Sequence, residues 1–428
     1  MQRVLSFQMA RGIDESNEFV TKRVCFSFMF SIGFLMLLGG FLIGRYAAGR
    51  SVEMRAEKMK LNFIGNGLEK SEFMRHELIQ HLKENEFETE FYTPTIEKSK
   101  ILESVETALS GLSIFDKVTG NDSCVVALAR GAQEADRYVA LAATDNNIDV
   151  GLAIAKEFNK IAKNHDWRPQ RTLIFIMSTN SMESCLYSVS NYERSKIIAY
   201  LAIDKNPING NGFFMTAGSD MVLTTVTVAA SDYFNFLISP NDSETIPRMA
   251  INIPHTIISF HSGKNNSYIV KSADNNKDLA LWHRRSVTQV MSDSLWRLIE
   301  MTIFQWDPQL LNAVNDVLNN ELNSPEFEKV KGKIQASIKR IIARGEDLNT
   351  YIEQIDRLKS LNVRMVNDYL KDLEYALLCP DKNFHSKTDA GIFLQLLQHN
   401  NNNNINDYLY NMLKCYENVE EILNDMTT

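Results

Sequence analysis

Residues 124–143 read CVVALARGAQEADRYVALAA. Two apolar runs, 125–129 and 138–143, flank a polar turn. Short apolar runs bounded by turn residues predict buried β-strands rather than helices. Working outward, residues 152–161 carry a helical period. Residues 172–177 form another β-run, and 197–203 a third. Residues 221–238 read as helical despite many β-branched side chains. Residues 254–260 are again a β-run, and 279–303 a helix. Strands alternating with helices predict a three-layer α/β domain over residues 116–305.

Beyond about residue 308 strand signals vanish. Residues 310–322, 327–344, 347–358 and 363–378 are amphipathic stretches that predict an all-α region over 306–428. Pro380 ends the last stretch, because proline cannot continue a helix. The polyasparagine run 400–404 reads as a loop. On the other side, 45–115 reads as a stalk followed by leading helices, with Phe73, Leu78, Ile79 and Leu82 at helical spacing. His76-Glu77 and His81 lie within it. A zinc-protease helix needs its histidines four apart, and these are five apart, so a solvated helix face is expected.

Residues 24–43, VCFSFMFSIGFLMLLGGFLI, hold no charge over 20 positions. At ~1.5 Å per residue such a helix spans ~30 Å, the thickness of a bilayer core. The apolar core is longer than a secretory h-region, and Asp14, Glu15 and Glu18 precede it, which predicts an uncleaved signal-anchor over 24–44 behind a tail of residues 1–23. Basic residues flank both ends and do not favour a cytoplasmic N-terminus. Sequons at Asn121, Asn241 and Asn265 predict glycosylation and favour an extracellular or lumenal C-terminal part. Gly40 and Gly44 form a GxxxG pair, a candidate helix-dimer face. The net charge of −8 argues against a nucleic-acid partner. The five cysteines exclude a disulfide-dense miniprotein; some would pair in an oxidising lumen, with partners left open. There is no GxSxG elbow, P-loop or CxxC pair.

Residues 127–143, ALARGAQEADRYVALAA, resemble the strands that lead to the zinc site of the glutamate carboxypeptidase II and transferrin receptor family. WRPQRTLIF at 167–175 and AYLAIDK at 199–205 are similar to its next strands. Arg364-Met-Val-Asn367-Asp368, Leu373-Glu374 and Pro380-Asp381 resemble its helical dimerisation domain. The resemblance implies a zinc-exopeptidase-like sheet domain, then a helical domain that pairs two copies. The family's apical, protease-associated domain is absent between the leading helices and Arg137, so the chain looks like a short form.

The family holds two zinc ions with imidazole and carboxylate ligands, and a Glu serves as general base. Carried onto this chain, the first ligand position is Thr144 and the bridging position is Asn147, with Asp145 and Asp149 on either side. The base position is Ser181 and the next ligand Met182, with Glu183 one place later. Asp204 keeps its acid, and the last ligand position is Lys271. A hydroxyl, an amide, a thioether and an ammonium are poor zinc ligands. His165, His255 and His261 are read as ordinary hydrogen-bonded or solvated histidines rather than a rebuilt site.

The reading is a catalytically inactive, membrane-anchored peptidase-like homodimer with no cofactor, a receptor-type binder of an unknown protein or peptide. The alternative is a zinc-dependent exopeptidase with a remodelled metal site. The Asp204-Lys205 pair also looks like the transferrin receptor branch. Arg344-Gly345-Glu346 lies where that branch carries an Arg-Gly-Asp contact, in a different register.

Overall fold

A computed structural model describes residues 30, 34, 36, 37, 67–84, 98–180, 185–187, 189–208, 213–233, 253–261, 276–304, 306–322, 324–355, 360–377 and 402–427. The chain forms two compact units, Met1–Phe73 and Met74–Thr428. The architecture below is that of the second.

Its centre is a seven-stranded sheet in the order β1-β2-β4-β3-β5-β7-β6. The strands are β1 (Lys117–Gly120), β2 (Cys124–Ala129), β3 (Glu134–Thr144), β4 (Arg171–Ser178), β5 (Ile197–Ile203), β6 (Phe213–Gly218) and β7 (His255–His261). β4, β3, β5 and β7 are mutually parallel, while β2 and β6 run against them. The helices are α1 (Gly67–Glu84), α2 (Lys98–Ser110), α3 (Ile148–His165), the short α4 (Asn191–Arg194), α5 (Asp220–Tyr233), α6 (Asn276–Glu300), α7 (Asn312–Glu321), α8 (Glu328–Gln354), α9 (Ser360–Leu377) and α10 (Asn402–Thr427).

β4 and β5 are buried at every position, which is why they read as unbroken apolar runs. α3 crosses the sheet at Gly151. A Cβ there would meet Met177 Cε at 2.4 Å and Ala143 Cβ at 3.1 Å, so a larger residue would have to push the Met177 side chain aside. On this side Phe158 packs edge-on to Phe175, and Trp167 stacks on Trp296 of α6 at 4.7 Å. The other face gathers Tyr138, Ala140, Ala142, Ile174, Ile176, Tyr200 and Ile257 around Cys185 and Leu186. A Cys124–Cys185 disulfide pins the segment after β4 to β2; Cys415 is disulfide-bonded as well.

Helix α9 lies across the amino edge of the sheet. Arg137 at the start of β3 donates to Asp368, and Arg364 donates to Asp136. Between them Asn367, fully buried, donates to the carbonyl of Thr302 at 2.8 Å and accepts from Phe304 N–H at 3.1 Å. The residues that made 136–137 and 364–368 stand out are therefore joints between sheet and helices.

Several expectations change. β1 and β6 are strands that the sequence hid, the first because it is short and mostly exposed. The helices expected at 327–344 and 347–358 are one helix, α8. Gly345 does not break it; a Cβ there would lie 2.7 Å from Trp306 and Pro308, so glycine serves a close crossing. Arg344-Gly345-Glu346 is thus part of a packed helix. Of the expected loop at 400–404, residues 402–404 begin α10, since asparagine is favoured at helix starts, and 400 and 401 lie outside the described residues. The apolar stripe of the amphipathic stretch 363–378, Val366, Leu370, Leu373 and Leu377, is buried within its own subunit, as is that of 327–344, Val330, Ile334, Ile338 and Ile341. Among the described residues no helix is long and apolar enough to cross a membrane. Most of 24–44, with Gly40 and Gly44, lies outside the described residues; of that stretch Phe30, Phe34, Met36 and Leu37 are helical and exposed.

Candidate functional site

In an open α/β sheet the ligand edge is the carboxyl end of the parallel strands, where loops diverge. Here that edge is formed by Thr144, Ser178 and Asp204. β3 leaves it through Asp145, whose φ of 43° is left-handed, and a 3-10 turn, Asp145–Asn147, into α3. Such a backbone is uncommon for a residue with a side chain and costs roughly 1 kcal/mol or more.

Asn147 is fully buried at the start of α3. Its Nδ2 donates to the carbonyls of Asp204 at 2.5 Å and Asn206 at 3.0 Å. Asn146 adds a hydrogen bond to the Lys205 carbonyl at 3.2 Å. The two amides together hold the chain as it leaves β5. Thr144 donates its hydroxyl to the Ile203 carbonyl at 3.4 Å. Asp204, 4% exposed, receives the Ser259 hydroxyl at 2.9 Å, and Asn206 donates to that same hydroxyl at 3.2 Å. Asp149 pairs with Arg284 of α6, whose guanidinium also reaches the Asn146 carbonyl at 3.3 Å. Burial raises the Asp149 carboxyl above its ordinary range, against the pull of Arg284.

Thr144, Asn147 and Asp204 lie together at this edge, with Asp149 and Arg284 beside them. Ser181, Met182, Glu183, Lys271, Asn241 and Asn265 lie outside the described residues. His261 ends β7 two places beyond Ser259, on the ligand edge. His255 begins the same strand at the opposite edge, with Nδ1 2.8 Å from the Ile253 carbonyl. His165 ends α3 and meets Glu77 at 2.6 Å. Glu77 and His81 are not a solvated face: His81 also faces the buried Glu157 at 3.4 Å, so these residues join α1 to α3.

The described residues do not fit a two-zinc centre. The amide at the bridging position spends its hydrogens on two carbonyls, Thr144 also donates, Asp149 is taken by Arg284, and the carboxylates directly after β3 and β5 are Asp145 and Asp204. Among the described residues no group of three or more His, Cys, Asp or Glu could hold a metal ion. Arg284, Ser259, Asn146 and Asn206 were missed in the sequence. Arg284 stands 135 positions from its partner Asp149, and no spacing links them. Asn146 adjoins Asn147 of the ligand pattern and Asn206 adjoins the Asp204-Lys205 pair, and adjacency was the available signal.

No protein-family model matches the chain, and no curated protein does. Solved structures similar to it include an aminopeptidase from Aneurinibacillus sp. strain AM-1, at 14% identity and TM-score 0.29, over 41% of this chain and 47% of that one. The LapA aminopeptidase of Legionella pneumophila is 14% identical at TM-score 0.33, over 55% and 74%. A dinuclear metal-binding peptidase of the M20 family from Bacillus subtilis is 9% identical at TM-score 0.31, over 54% and 99%. The chain thus spans about half the length of the first of these. The mixed sheet and its helices resemble the zinc-peptidase fold. All three structures are named as peptidases and nothing found points to a non-enzyme, so that expectation is withdrawn.

Proposed function

We propose that this chain is a peptidase-like, membrane-anchored protein that engages a peptide at the carboxyl edge of its sheet and works as a homodimer, as its resemblance to the glutamate carboxypeptidase II and transferrin receptor family implies. The observation that carries the reading is Asp204. It is a buried acid at the end of β5, oriented by Ser259, at the edge where open α/β sheets take their ligands. A carboxylate held there is suited to a peptide's ammonium or amide hydrogens. Asn147 supports the same edge, because its amide donates to the carbonyls of Asp204 and Asn206 and holds the end of β5 in place.

The test is direct. Purified full-length chain in detergent is titrated with a panel of short peptides and assayed for their hydrolysis, with and without added zinc. Asp204→Asn should weaken binding, and any hydrolysis, at least about tenfold, the loss of one charge-assisted contact. Peptide affinity equal in wild type and Asp204→Asn would remove the site from this edge.

Anchoring through 24–44 and an extracellular or lumenal sheet domain belong to the same proposal. The Cys124–Cys185 disulfide supports it, because such bonds persist in oxidising compartments. So does the exposed sequon at Asn121.

A further inference from the structure

One face of the sheet is partly bare at its rim. β1 is the outermost strand, with β2 on one side only. Lys117 and Thr119 stand opposite Leu128 and Val126 of β2, so these four side chains share a face. Gly120 turns the other way, where a Cβ would meet Glu106 of α2 at 2.3 Å. α2 thus covers one side of β1 and leaves the other. On that other side a cleft of about 330 Å³ lies between the strands and the start of α4, at the small end of ligand pockets. Val126 and Leu128 are half-buried on its floor, and Thr119, Lys117, Ser190 and Glu193 make it polar around them. Asn121, exposed and first in an Asn-Asp-Ser sequon, lines it as well. Its Oδ1 accepts from the backbone N–H of Ser123 at 3.0 Å and of Cys124 at 2.8 Å, and from the Ser123 hydroxyl at 3.0 Å. Three donors on one oxygen fix the plane of the amide, and with it the direction of Nδ2.

We propose that the first N-acetylglucosamine of a glycan on Asn121 seats in this cleft and completes the bare rim of the sheet. The inference rests on the lumenal or extracellular orientation proposed above. The bond forms at Nδ2, which displaces a lipid diphosphate from C1 of the sugar; the C1–O bond breaks and an amide proton leaves to solvent. Because the sugar joins the nitrogen, the three hydrogen bonds to Oδ1 remain. Its chemistry matches the cleft. The C–H face of the ring and the acetyl methyl suit Val126 and Leu128. The sugar hydroxyls suit Thr119 and Ser190. Lys117 and Glu193 carry opposite charges, which favours a neutral guest over an ion. An open edge strand is also a template for unwanted pairing, and a sugar beside β1 blocks that approach.

Hydrogen exchange tests this on the full-length chain, made in glycosylating animal cells and held in detergent. Three forms are compared: the intact glycoprotein, the same protein trimmed by endoglycosidase to a single N-acetylglucosamine, and Ser123→Ala, which keeps Asn121 but loses the sequon. Mass spectrometry of the peptide holding Asn121 reads the sugar. One sugar should protect 117–120 and 125–128 as well as the whole glycan does, and Ser123→Ala should exchange about tenfold faster there. Val126→Ser separates the sugar from the lost Ser123 hydroxyl, because it removes the apolar contact and leaves the sequon intact. With the sugar seated on Val126, the effects of Ser123→Ala and Val126→Ser overlap in the double variant. Additive effects overturn the seat, and so does equal exchange in the trimmed chain and Ser123→Ala. An unmodified Asn121 overturns it too. If Asn241 or Asn265 then carries sugar, the orientation stands and the seat alone is lost; sugar on none of the three removes both.

Discussion

Asn147 and Asp204 face each other across the ends of β3 and β5, and the contact between them is an amide donating to a carbonyl. A carboxylate at 147 would set its oxygens against the carbonyl oxygens of Asp204 and Asn206, in full burial. The position that a metal bridge would require as acid is thus required as amide by this backbone. Asn147→Asp should therefore destabilise the chain by about 2–4 kcal/mol, from two lost hydrogen bonds and a buried repulsion. Thermal unfolding of the purified protein measures it. Raising the pH from 5 to 8 should widen the loss, because the new carboxyl ionises. A variant as stable as wild type, or one rescued by zinc, would mean that the strand end can reopen as a metal site. Thr144 and Asp204 were legible through the resemblance, which marks the positions just past two of the strands. The engagement of Asn147 was not, because its partners are backbone carbonyls, which no sequence pattern marks.

At the scale of elements, the strands of the sheet's interior were legible and its rims were not. β5 is apolar throughout, and β3 and β4 are apolar over 138–143 and 173–177, whereas β1 carries Lys117 and Thr119 on a mostly exposed edge. Gly345 looked like a helix boundary because its signal, a missing side chain, is the same for a stop and for a close crossing. The joints of α9 follow a similar logic. Arg364 and Asp368 are one turn apart, and Asp136 and Arg137 are neighbours, so the two pairs exchange charges across one junction. They are not equal. Arg137 is nearly buried, at 6% side-chain exposure, while Asp136 and Arg364 are both about half exposed. Asp368→Asn leaves a buried guanidinium with Glu134 at 3.8 Å as its nearest acid and should cost ~1–2 kcal/mol. Asp136→Asn should cost under about 0.5 kcal/mol, because solvent screens that pair. Chemical denaturation of the two single variants and the double variant separates these values. Equal costs would mean that burial of Arg137 does not set the strength of the joint.

For the whole molecule, the stripes on α8 and α9 are consumed inside the subunit, so a homodimer needs another face. Leu361 and Met365, 68% and 52% exposed and one turn apart on α9, offer it. A two-fold contact uses each residue twice, so changing both to Asp should convert the full-length dimer in detergent to a monomer by light scattering. A monomeric wild type would end that proposal. Topology has a sharper test, because two neighbouring groups report on the same compartment. Asn121 accepts at Oδ1 from the backbone N–H of Ser123 and Cys124 and from the Ser123 hydroxyl. Its amide nitrogen, the atom to which sugar attaches, belongs to an exposed turn, and β1 beyond it is a mostly exposed edge. Three residues on, Cys124 is buried in its bond to Cys185. A lumenal or extracellular sheet domain requires both features together, whereas a cytosolic one permits neither sugar nor a lasting disulfide. In cells, endoglycosidase treatment should increase the gel mobility of the wild-type chain. Asn121→Gln should remove that part of the shift. Alkylation before reduction should leave Cys124 and Cys185 unlabelled in the same sample. Labelled thiols with no sugar shift would put residues after 44 in the cytosol and reverse the proposed orientation.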